Sequence, residues 1–310
     1  MAVAATETKS AGRRKSKMTD RAREERRLGW LLCAPAVIAM LLVTGYPIVY
    51  AIILSLQRYD LRFPDDREFV GLGNYITVLS SSTWWTDFFN TMIITVISVA
   101  IELVLGMLIA LVMHRAIFGR GPVRAAILIP YGIVTVVSAF AWRYAFDAGP
   151  GFVVAWFNLE TPPLTERWTS FLVIILCEVW KTTPFMALLL LAGLALVPEE
   201  LHRAAKVDGA TAVQRFFKIT LPLIKPAVLV ALLFRTLDAF RIFDSVFVMT
   251  RGANETETVS ILGYNTLINR VNLGLGSAIS VLIFICVIII ALLFVKGLGT
   301  SSGPATGGRK

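Results

Sequence analysis

One stretch of the sequence, FFNTMIITVISVAIELVLGMLIALVM at residues 88–113, decides the fold class. Glu102 is its only charged side chain, and nearly all the others are apolar. An α-helix needs roughly 20 consecutive apolar residues to cross the hydrocarbon core of a bilayer. The stretch exceeds that length and therefore predicts a membrane-spanning helix.

Five further stretches have the same character, at residues 28–56, 123–146, 171–197, 227–250 and 277–298. Apolar side chains make up 56% of the 310 residues, charged side chains make up 16%, and the mean hydropathy is +0.71. Because soluble domains are about 25% charged, a soluble globule of this length is excluded. We predict an all-α integral membrane protein with six transmembrane helices.

The net charge of +9 is compatible with nucleic-acid binding or with a topology signal in a membrane protein. Nine cations precede the first apolar stretch, and no aromatic residue lies among them to stack on bases. If the N-terminus lies inside, the inner segments hold twenty Lys and Arg and the outer loops hold six. Cations concentrate on the cytoplasmic side of membrane proteins. We therefore predict a multi-pass plasma (inner) membrane protein with both termini cytoplasmic and no nucleic-acid partner.

The residue types that usually carry catalysis or bind metals are isolated in this sequence. Cys33, Cys177 and Cys286 are far apart within apolar stretches, and His114 and His202 stand alone. Such spacing provides neither a disulfide framework nor a metal-ligand cluster. We predict no catalytic residues, no metal site and no enzymatic activity.

The chain divides into three parts by composition. Residues 1–27 form a basic N-terminal segment, residues 28–298 form the transmembrane domain, and residues 299–310 form a Gly- and Ser-rich tail that we expect to be disordered. Within the middle part, the segment 198–225 has the pattern of structured amphipathic backbone on the cytoplasmic side. It predicts a helix-turn-helix.

Local signals define both short helices of this segment. Pro198 suits a first helical position, and Asp208 with Gly209 ends the first helix. Thr211 and Gln214 have the spacing of a capping box for the second helix. The apolar patches of the two helices provide a docking surface for a partner protein; the alternative is an interfacial helix pair lying on the inner leaflet.

The same segment resembles the EAA loop of binding-protein-dependent sugar ABC-importer permeases of the maltose type. The matching positions are Arg203, Ala204, Ala205, Gly209, Ile219, Leu221 and Pro222. In that family the loop docks in a cleft of the ATP-hydrolysing subunit. The resemblance therefore implies an ATPase-coupling role for Arg203, Ala204, Ala205, Asp208, Gly209, Phe216, Phe217, Leu221 and Pro222. Arg203 is a departure, because the family usually has glutamate there.

Two other elements resemble the same family. Gly71, Leu72, Asn74 and Tyr75 look like its glycine-leucine-x-asparagine-tyrosine element, and Phe243, Asp244, Val248 and Thr250 look like the end of its fifth span. The resemblance implies import of a sugar, such as the disaccharide trehalose. It implies as partners a second permease subunit, two ATP-binding subunits, an extracytoplasmic sugar-binding protein and membrane lipid. No phosphate-binding G-x-x-x-x-G-K-[ST] stretch is present, so we expect this chain to bind no cofactor, with ATP and Mg²⁺ held by the partner ATPases.

Charged residues inside the apolar stretches are functional candidates, because they are costly in a membrane. Arg235, Asp238, Arg241 and Asp244 alternate in sign at intervals of three and would sweep half the surface of a continuous helix. We predict a substrate pathway that includes Trp180, Lys181, Asp238, Phe240, Arg241 and Asp244. The alternative for these charges is internal ion pairing, including a Glu178–Lys181 pair.

Two other function classes compete with the importer. An ion-coupled secondary transporter would use the intramembrane carboxylates as proton or cation sites, but the two halves of the chain show no convincing repeat. A membrane-embedded enzyme would need paired histidines, a metal motif or an activated nucleophile, and the sequence offers none of these.

Overall fold

The structure is a computed structural model that describes residues 20–115, 120–149 and 151–301. The described residues divide into two units, one that ends at Tyr50 and one that begins at Ala51. Most of the predicted basic segment 1–27 and residues 302–310 of the predicted tail lie outside the described residues. The last helix includes residues 299–301, which were expected to belong to the tail.

The first unit contains one apolar helical path. Helix α1 (Asp20–Met40) leads through a π-helical turn at Leu41–Gly45 into α2 (Tyr46–Ser55), whose last residues belong to the second unit. The rings of Tyr46 and Tyr50 stack with centroids 6.1 Å apart. Pro35 lies inside α1 without interrupting it.

The second unit is built around four long helices and one bent pair. The long helices are α4 (Ser82–Arg115), α8 (Arg167–Leu194), α11 (Leu221–Ala239) and α14 (Leu273–Ser301), and the bent pair is α5 (Arg120–Gly132) with α6 (Thr135–Ala145). The connecting elements are β1 (Gln57–Arg58), β2 (Glu68–Phe69), α3 (Gly73–Ser80), α7 (Phe152–Trp156), α9 (Glu199–Val207), α10 (Ala212–Arg215), α12 (Asp244–Met249) and α13 (Val259–Tyr264).

The all-α membrane fold predicted from hydropathy is confirmed, with two of the predicted spans interrupted. The described residues contain five helical stretches long and apolar enough to cross a membrane, and six if the bent pair counts as one span. The third predicted span, 123–146, is bent by 89° between Gly132 and Thr135. Pro130 lies just before this break, where a proline removes a backbone hydrogen-bond donor.

The fifth predicted span, 227–250, is not a single regular helix. Helix α11 ends at Ala239 and α12 begins at Asp244, so residues 240–243 are not helical. The backbone N–H groups of Arg241 and Ile242 donate hydrogen bonds to carbonyls three residues earlier, each with an N···O distance of 3.1 Å. Hydropathy missed this break because it measures composition and not backbone continuity.

Small residues allow the central helices to approach one another closely. At Gly106 of α4, an added Cβ would lie 2.8 Å from Met186 Cγ of α8, and at Gly193 of α8 it would collide with the Cβ of Ala227 on α11. Such close approach is typical of helix packing in membranes. The three helices α4, α8 and α11 therefore form a tight core that positions the site described below.

The element at residues 71–75 fixes the chain after the first apolar helix. Asn74 Nδ2 donates to the carbonyls of Ser55 and Gln57, both at 2.8 Å, and the Tyr75 hydroxyl lies 2.6 Å from Ser55 Oγ. Gly71 has a positive φ of 55°, which favours glycine. This element thus satisfies backbone groups that the end of α2 leaves unpaired.

Candidate functional site

A group of charged side chains is buried where α4, α8 and α11 meet. At its centre is Arg235 of α11, whose side chain is 1% exposed. Its guanidinium donates to both carboxylate oxygens of Glu102, at 2.5 and 2.9 Å, and to Glu178 Oε2 at 3.0 Å. Since Glu102 belongs to α4 and Glu178 to α8, one cation joins three helices.

Two hydroxyl groups complete the hydrogen bonding of these carboxylates. Thr182 Oγ1 donates to Glu102 Oε1 at 2.8 Å, and Ser245 Oγ of α12 donates to Glu178 Oε1. Both hydroxyl residues are buried. An uncompensated ion in such a position carries a large desolvation penalty, whereas a satisfied network favours one packing of the helices.

Asp238 approaches the same guanidinium from an accessible side. Its Oδ2 accepts from Arg235 Nη1 at 2.7 Å, although the Asp238 side chain is 73% exposed. We call Arg235, Glu102, Glu178 and Asp238 the ion cluster. Asp238 is the member of this cluster that reaches open space.

A cavity of about 510 Å³ lies beside the ion cluster and shares Glu178 and Asp238 with it. We call it the membrane cavity. This volume falls within the range of about 300–1,000 Å³ that is usual for small-molecule sites. Its wall also includes two aromatic residues and three charged ones, namely Tyr131, Phe243, Lys181, Arg241 and Asp244.

Four of the predicted pathway residues meet at this wall: Lys181, Asp238, Arg241 and Asp244. The assumption that the last three lie on one continuous helix with Arg235 was wrong, because α11 ends at Ala239. The non-helical residues 240–243 change the chain direction, so Asp238, Arg241 and Asp244 line one cavity. Arg235 itself is buried in the ion cluster.

The other two predicted pathway residues lie away from the cavity wall. Phe240 is fully buried and packs edge-on against Phe88, with ring centroids 6.2 Å apart. Trp180 is 40% exposed, and its ring lies 6.1 Å from that of Trp142. The aromatic rings at the cavity are those of Tyr131 and Phe243 instead.

The Glu178–Lys181 pair considered as an alternative does not occur among the described residues. The Glu178 carboxylate is occupied by Arg235 and Ser245. Lys181 is 8% exposed, and its Nζ lies 5.6 Å from the ring centroid of Tyr131. A cation over a ring face is attracted by the ring quadrupole, so Tyr131 stabilises the ammonium at the cavity wall.

Sequence reasoning missed Tyr131 and the two supporting hydroxyl residues, Thr182 and Ser245. For Tyr131 a signal existed, because it lies between Pro130 and Gly132, where a membrane helix is prone to break. For Thr182 and Ser245 no local signal exists. Buried hydroxyl residues in apolar helices usually bond to their own backbone, and Thr182 also does so.

The segment 198–225 contains the short helix α9 and the four-residue helix α10, which continues through the π-helical turn Phe216–Thr220 into α11 and is not the separate second helix that the sequence predicts. Helix α9 ends at Val207, and Gly209 follows with a positive φ of 79°, while its N–H donates to the Lys206 carbonyl at 3.2 Å. The capping box expected at Thr211 and Gln214 is present, with reciprocal bonds of 3.3 and 2.9 Å. Pro198 precedes the first helical residue instead of occupying that position.

Helix α9 has two chemically different faces. Glu199, His202, Arg203 and Lys206 follow i, i+3, i+4 and i+7 spacing and line a groove against the long helices. Arg203 Nη2 donates to Glu199 Oε2 at 2.9 Å, so the cation at the position where the resemblance implied glutamate has a partner within its own helix. The predicted docking residues Ala204, Ala205 and Asp208 do not line this groove.

The two phenylalanines that follow α10 differ in burial. Phe216 packs against the buried cluster of the long helices, and Phe217 is 59% exposed. Leu221 is partly buried and Pro222 is exposed at the start of α11. Exposed apolar side chains in this segment also include Leu201, Val207 and Val213. The segment thus presents apolar surface that the described chain leaves uncovered.

The family described as "Binding-protein-dependent transport system inner membrane component" matches residues 69–301. The chain belongs to this family. The match begins just before the Gly71–Tyr75 element and includes the ion cluster, the membrane cavity and the segment 198–225. The chain is therefore an ABC-transporter permease component with several membrane-spanning helices.

Similar proteins agree with this membership. "Trehalose transport system permease protein SugA" of Mycobacterium tuberculosis is 57% identical over 278 residues, which cover 90% of this chain and 91% of that protein. "Trehalose/maltose transport system permease protein MalF" of Thermococcus litoralis is 39% identical, covering 88% and 94% of the two chains. A chain of a bacterial ABC transporter involved in the import of alginate shares the fold, with a TM-score of 0.77 at 21% identity over 92% of this permease and all of that chain.

Proposed function

We propose that this permease is one of two permease subunits in an ATP-driven importer that carries a disaccharide such as trehalose into the cytoplasm. The membrane cavity carries the proposal. It combines charged hydrogen-bonding groups with the rings of Tyr131 and Phe243, as recognition of a sugar with many hydroxyl groups and an apolar ring face requires. The 57% and 39% identical relatives named for trehalose transport support the choice of sugar.

The segment 198–225 serves as the coupling loop in this proposal. Its exposed apolar side chains dock on an ATPase subunit, which holds ATP and Mg²⁺ that this chain does not bind. The second permease subunit and an extracytoplasmic sugar-binding protein complete the importer. Each conformational state then has its own partner contacts, so ATP-driven closure shifts the population between inward and outward access.

We place both termini and the coupling loop in the cytoplasm. The distribution of twenty inner against six outer Lys and Arg supports this orientation. The helix packing supports it too, because His114 at the end of α4 lines the same groove as α9 and α10. Asn90 near the start of α4 bonds to the loop carbonyl of Glu255 and to Arg167 at the start of α8, which forms the opposite end of the bundle.

An ion-coupled secondary transporter needs a carboxylate that exchanges its ion during transport. Glu102 and Glu178 are the most buried carboxylates near the membrane cavity, and both are held by Arg235. Such fixed ion pairs are poor exchange sites. We therefore favour the ATP-driven importer over ion coupling.

Uptake of labelled trehalose by the complete importer in proteoliposomes tests the proposal. We expect uptake to require ATP on the coupling-loop side and to survive collapse of the proton and sodium gradients. Uptake that follows an ion gradient without ATP would contradict it.

Variants of the membrane cavity test the sugar site itself. We expect Arg241→Gln and Asp244→Asn to raise the trehalose concentration for half-maximal uptake by about tenfold or more, because a hydrogen bond to a charged group contributes roughly 1.5–3 kcal/mol. Arg270→Gln removes an exposed cation outside the cavity and serves as the matched control. Unchanged uptake by both cavity variants would place the sugar elsewhere.

A further inference from the structure

A second depression of about 990 Å³ lies where α4 ends and α9, α10 and α11 begin. We call it the α4–α9 groove. It shares no lining residue with the membrane cavity. One long wall is apolar and is formed by α4 between Leu103 and Leu111, where Val104 and Leu108 are 60% and 55% exposed.

The apolar wall is comparable in length to one leaflet of a bilayer. From Leu103 to Leu111, α4 rises about 12 Å at 1.5 Å per residue. One leaflet accounts for half of a hydrocarbon core that is about 30 Å thick. The wall is therefore long enough to contact most of one acyl chain.

The charged side chains lie at one end of the groove. Arg203 is compensated by Glu199, but no carboxylate in the described part of the chain lies within ion-pair distance of Lys206 or Arg215. Lys206 lies on the groove face of α9, and Arg215 ends α10. The groove is thus apolar along its length and cationic at its surface end.

We propose that the α4–α9 groove binds a phospholipid with an anionic headgroup. One acyl chain lies along Val104 and Leu108, and the headgroup phosphate lies between Lys206 and Arg215. Basic groups at the cytoplasmic membrane surface attract anionic lipids, and the exposed apolar wall favours an acyl chain over a purely soluble anion. The proposal uses the orientation given above and is independent of which sugar is transported.

The lipid site and the ATPase-docking residues overlap only in part. Ala204, Ala205 and Asp208 of the docking set do not line the groove, whereas Arg203, Phe216, Phe217 and Leu221 line it. A bound lipid would hold α9 and α10 against the end of α4, where it contacts part of the docking set. The lipid composition of the inner leaflet thereby contributes to the position of the coupling loop.

Lipid retention by the complete importer tests the charged end. The assembled complex is placed in nanodiscs of phosphatidylcholine alone or of equal parts phosphatidylcholine and phosphatidylglycerol, then returned to detergent, and the retained lipid is measured by mass spectrometry. The variant Lys206→Gln with Arg215→Gln is compared with Lys218→Gln with Arg251→Gln, two substitutions of exposed cations outside the groove that change the net charge equally.

We expect the wild type and the control to retain phosphatidylglycerol in preference to phosphatidylcholine. The groove variant should bind phosphatidylglycerol about fivefold more weakly for each cation removed, which is the fold-change that about 1 kcal/mol per cation gives. Equal retention by the groove variant and the control would overturn the proposal. So would displacement of phosphatidylglycerol by inorganic phosphate at similar concentration, because the site would then be a simple anion site.

The apolar wall is tested by Val104→Trp, which fills the groove without changing the charge. We expect it to reduce retention of phosphatidylglycerol while the ATPase subunits still co-purify. Loss of the ATPase from the Lys206→Gln, Arg215→Gln variant with normal lipid retention would assign the groove to ATPase docking and overturn the lipid site. A failed sugar assignment would show instead as absent trehalose uptake by the wild type, with lipid retention unaffected.

Discussion

Replacing Arg235 with methionine should destabilise the permease more than any other single substitution in the ion cluster. The change removes every hydrogen bond that the guanidinium gives to Glu102, Glu178 and Asp238. Two carboxylates then remain buried without their cation. Breaking a buried ion pair by removing one partner costs about 3–5 kcal/mol. With a change of about 2–4 °C per kcal/mol, the apparent melting temperature should fall by about 6–20 °C.

Two further substitutions in the ion cluster provide comparisons for this loss of stability. Glu102→Gln keeps an oxygen that can accept from Thr182 and Arg235, so we expect a smaller loss of about 1–2 kcal/mol. Asp238→Asn changes a side chain that is 73% exposed, and an exposed ion pair contributes at most about 1 kcal/mol. The expected order of destabilisation is Arg235→Met, then Glu102→Gln, then Asp238→Asn.

A double-mutant cycle separates the ion pair from general packing damage. In Arg235→Met with Glu102→Gln, one uncompensated buried charge is removed, so the double variant should be more stable than Arg235→Met alone. The measurement is the apparent melting temperature of the purified complex in detergent, and fluorescence-detected gel filtration monitors the fraction that remains intact after heating. If Arg235→Met is as stable as Asp238→Asn, or if the double variant loses the full sum of the two single effects, the reasoning fails.

Three other predictions follow from the coupling loop, the Gly71–Tyr75 element and the topology. Gly209→Pro should abolish co-purification of the ATPase at normal membrane levels, because proline has no N–H and cannot adopt the φ of 79°; normal co-purification would show that the turn does not matter for docking. Asn74→Ala should lower the melting temperature by the equivalent of about 1–3 kcal/mol, since two backbone carbonyls after α2 lose their donor. A reporter active only in the cytoplasm should be active when fused after Thr211 and inactive when fused after Asn158, and the reverse pattern would overturn the orientation.

The fold class followed from hydropathy because a bilayer imposes a minimum length of apolar helix. The end of α9 and the start of α10 in the segment 198–225 followed from local chemistry, namely the turn at Gly209 and the capping box of Thr211 and Gln214. Both kinds of inference depend only on residues close together in the chain. Such predictions are accurate where neighbouring residues determine the backbone conformation.

The ion cluster could not be predicted, because its partners are distant in the sequence. Arg235 donates hydrogen bonds to Glu102, which is 133 residues away in the sequence, and to Glu178, which is 57 residues away. Asp238, three residues after Arg235, has the spacing of an ion-pair partner within one helix, but its side chain is the exposed member of the cluster. Which carboxylate reaches a buried cation depends on how the helices pack, and helical periodicity does not contain that information.

Helix α11 connects the segment 198–225, which is the proposed coupling loop, to the membrane cavity. Its first residue, Leu221, follows the π-helical turn Phe216–Thr220, and Arg235 and Asp238 lie about 21 and 26 Å further along the helix. Because Arg235 is bonded to α4 and α8, the far end of α11 cannot rotate without breaking the ion cluster. In the proposed importer, a displacement of the coupling loop would therefore be transmitted along α11 either by moving the three joined helices together or by bending the chain at the non-helical residues 240–243. Residues 241–243 form part of the cavity wall, so either motion would change the surroundings of Asp238, Arg241 and Asp244.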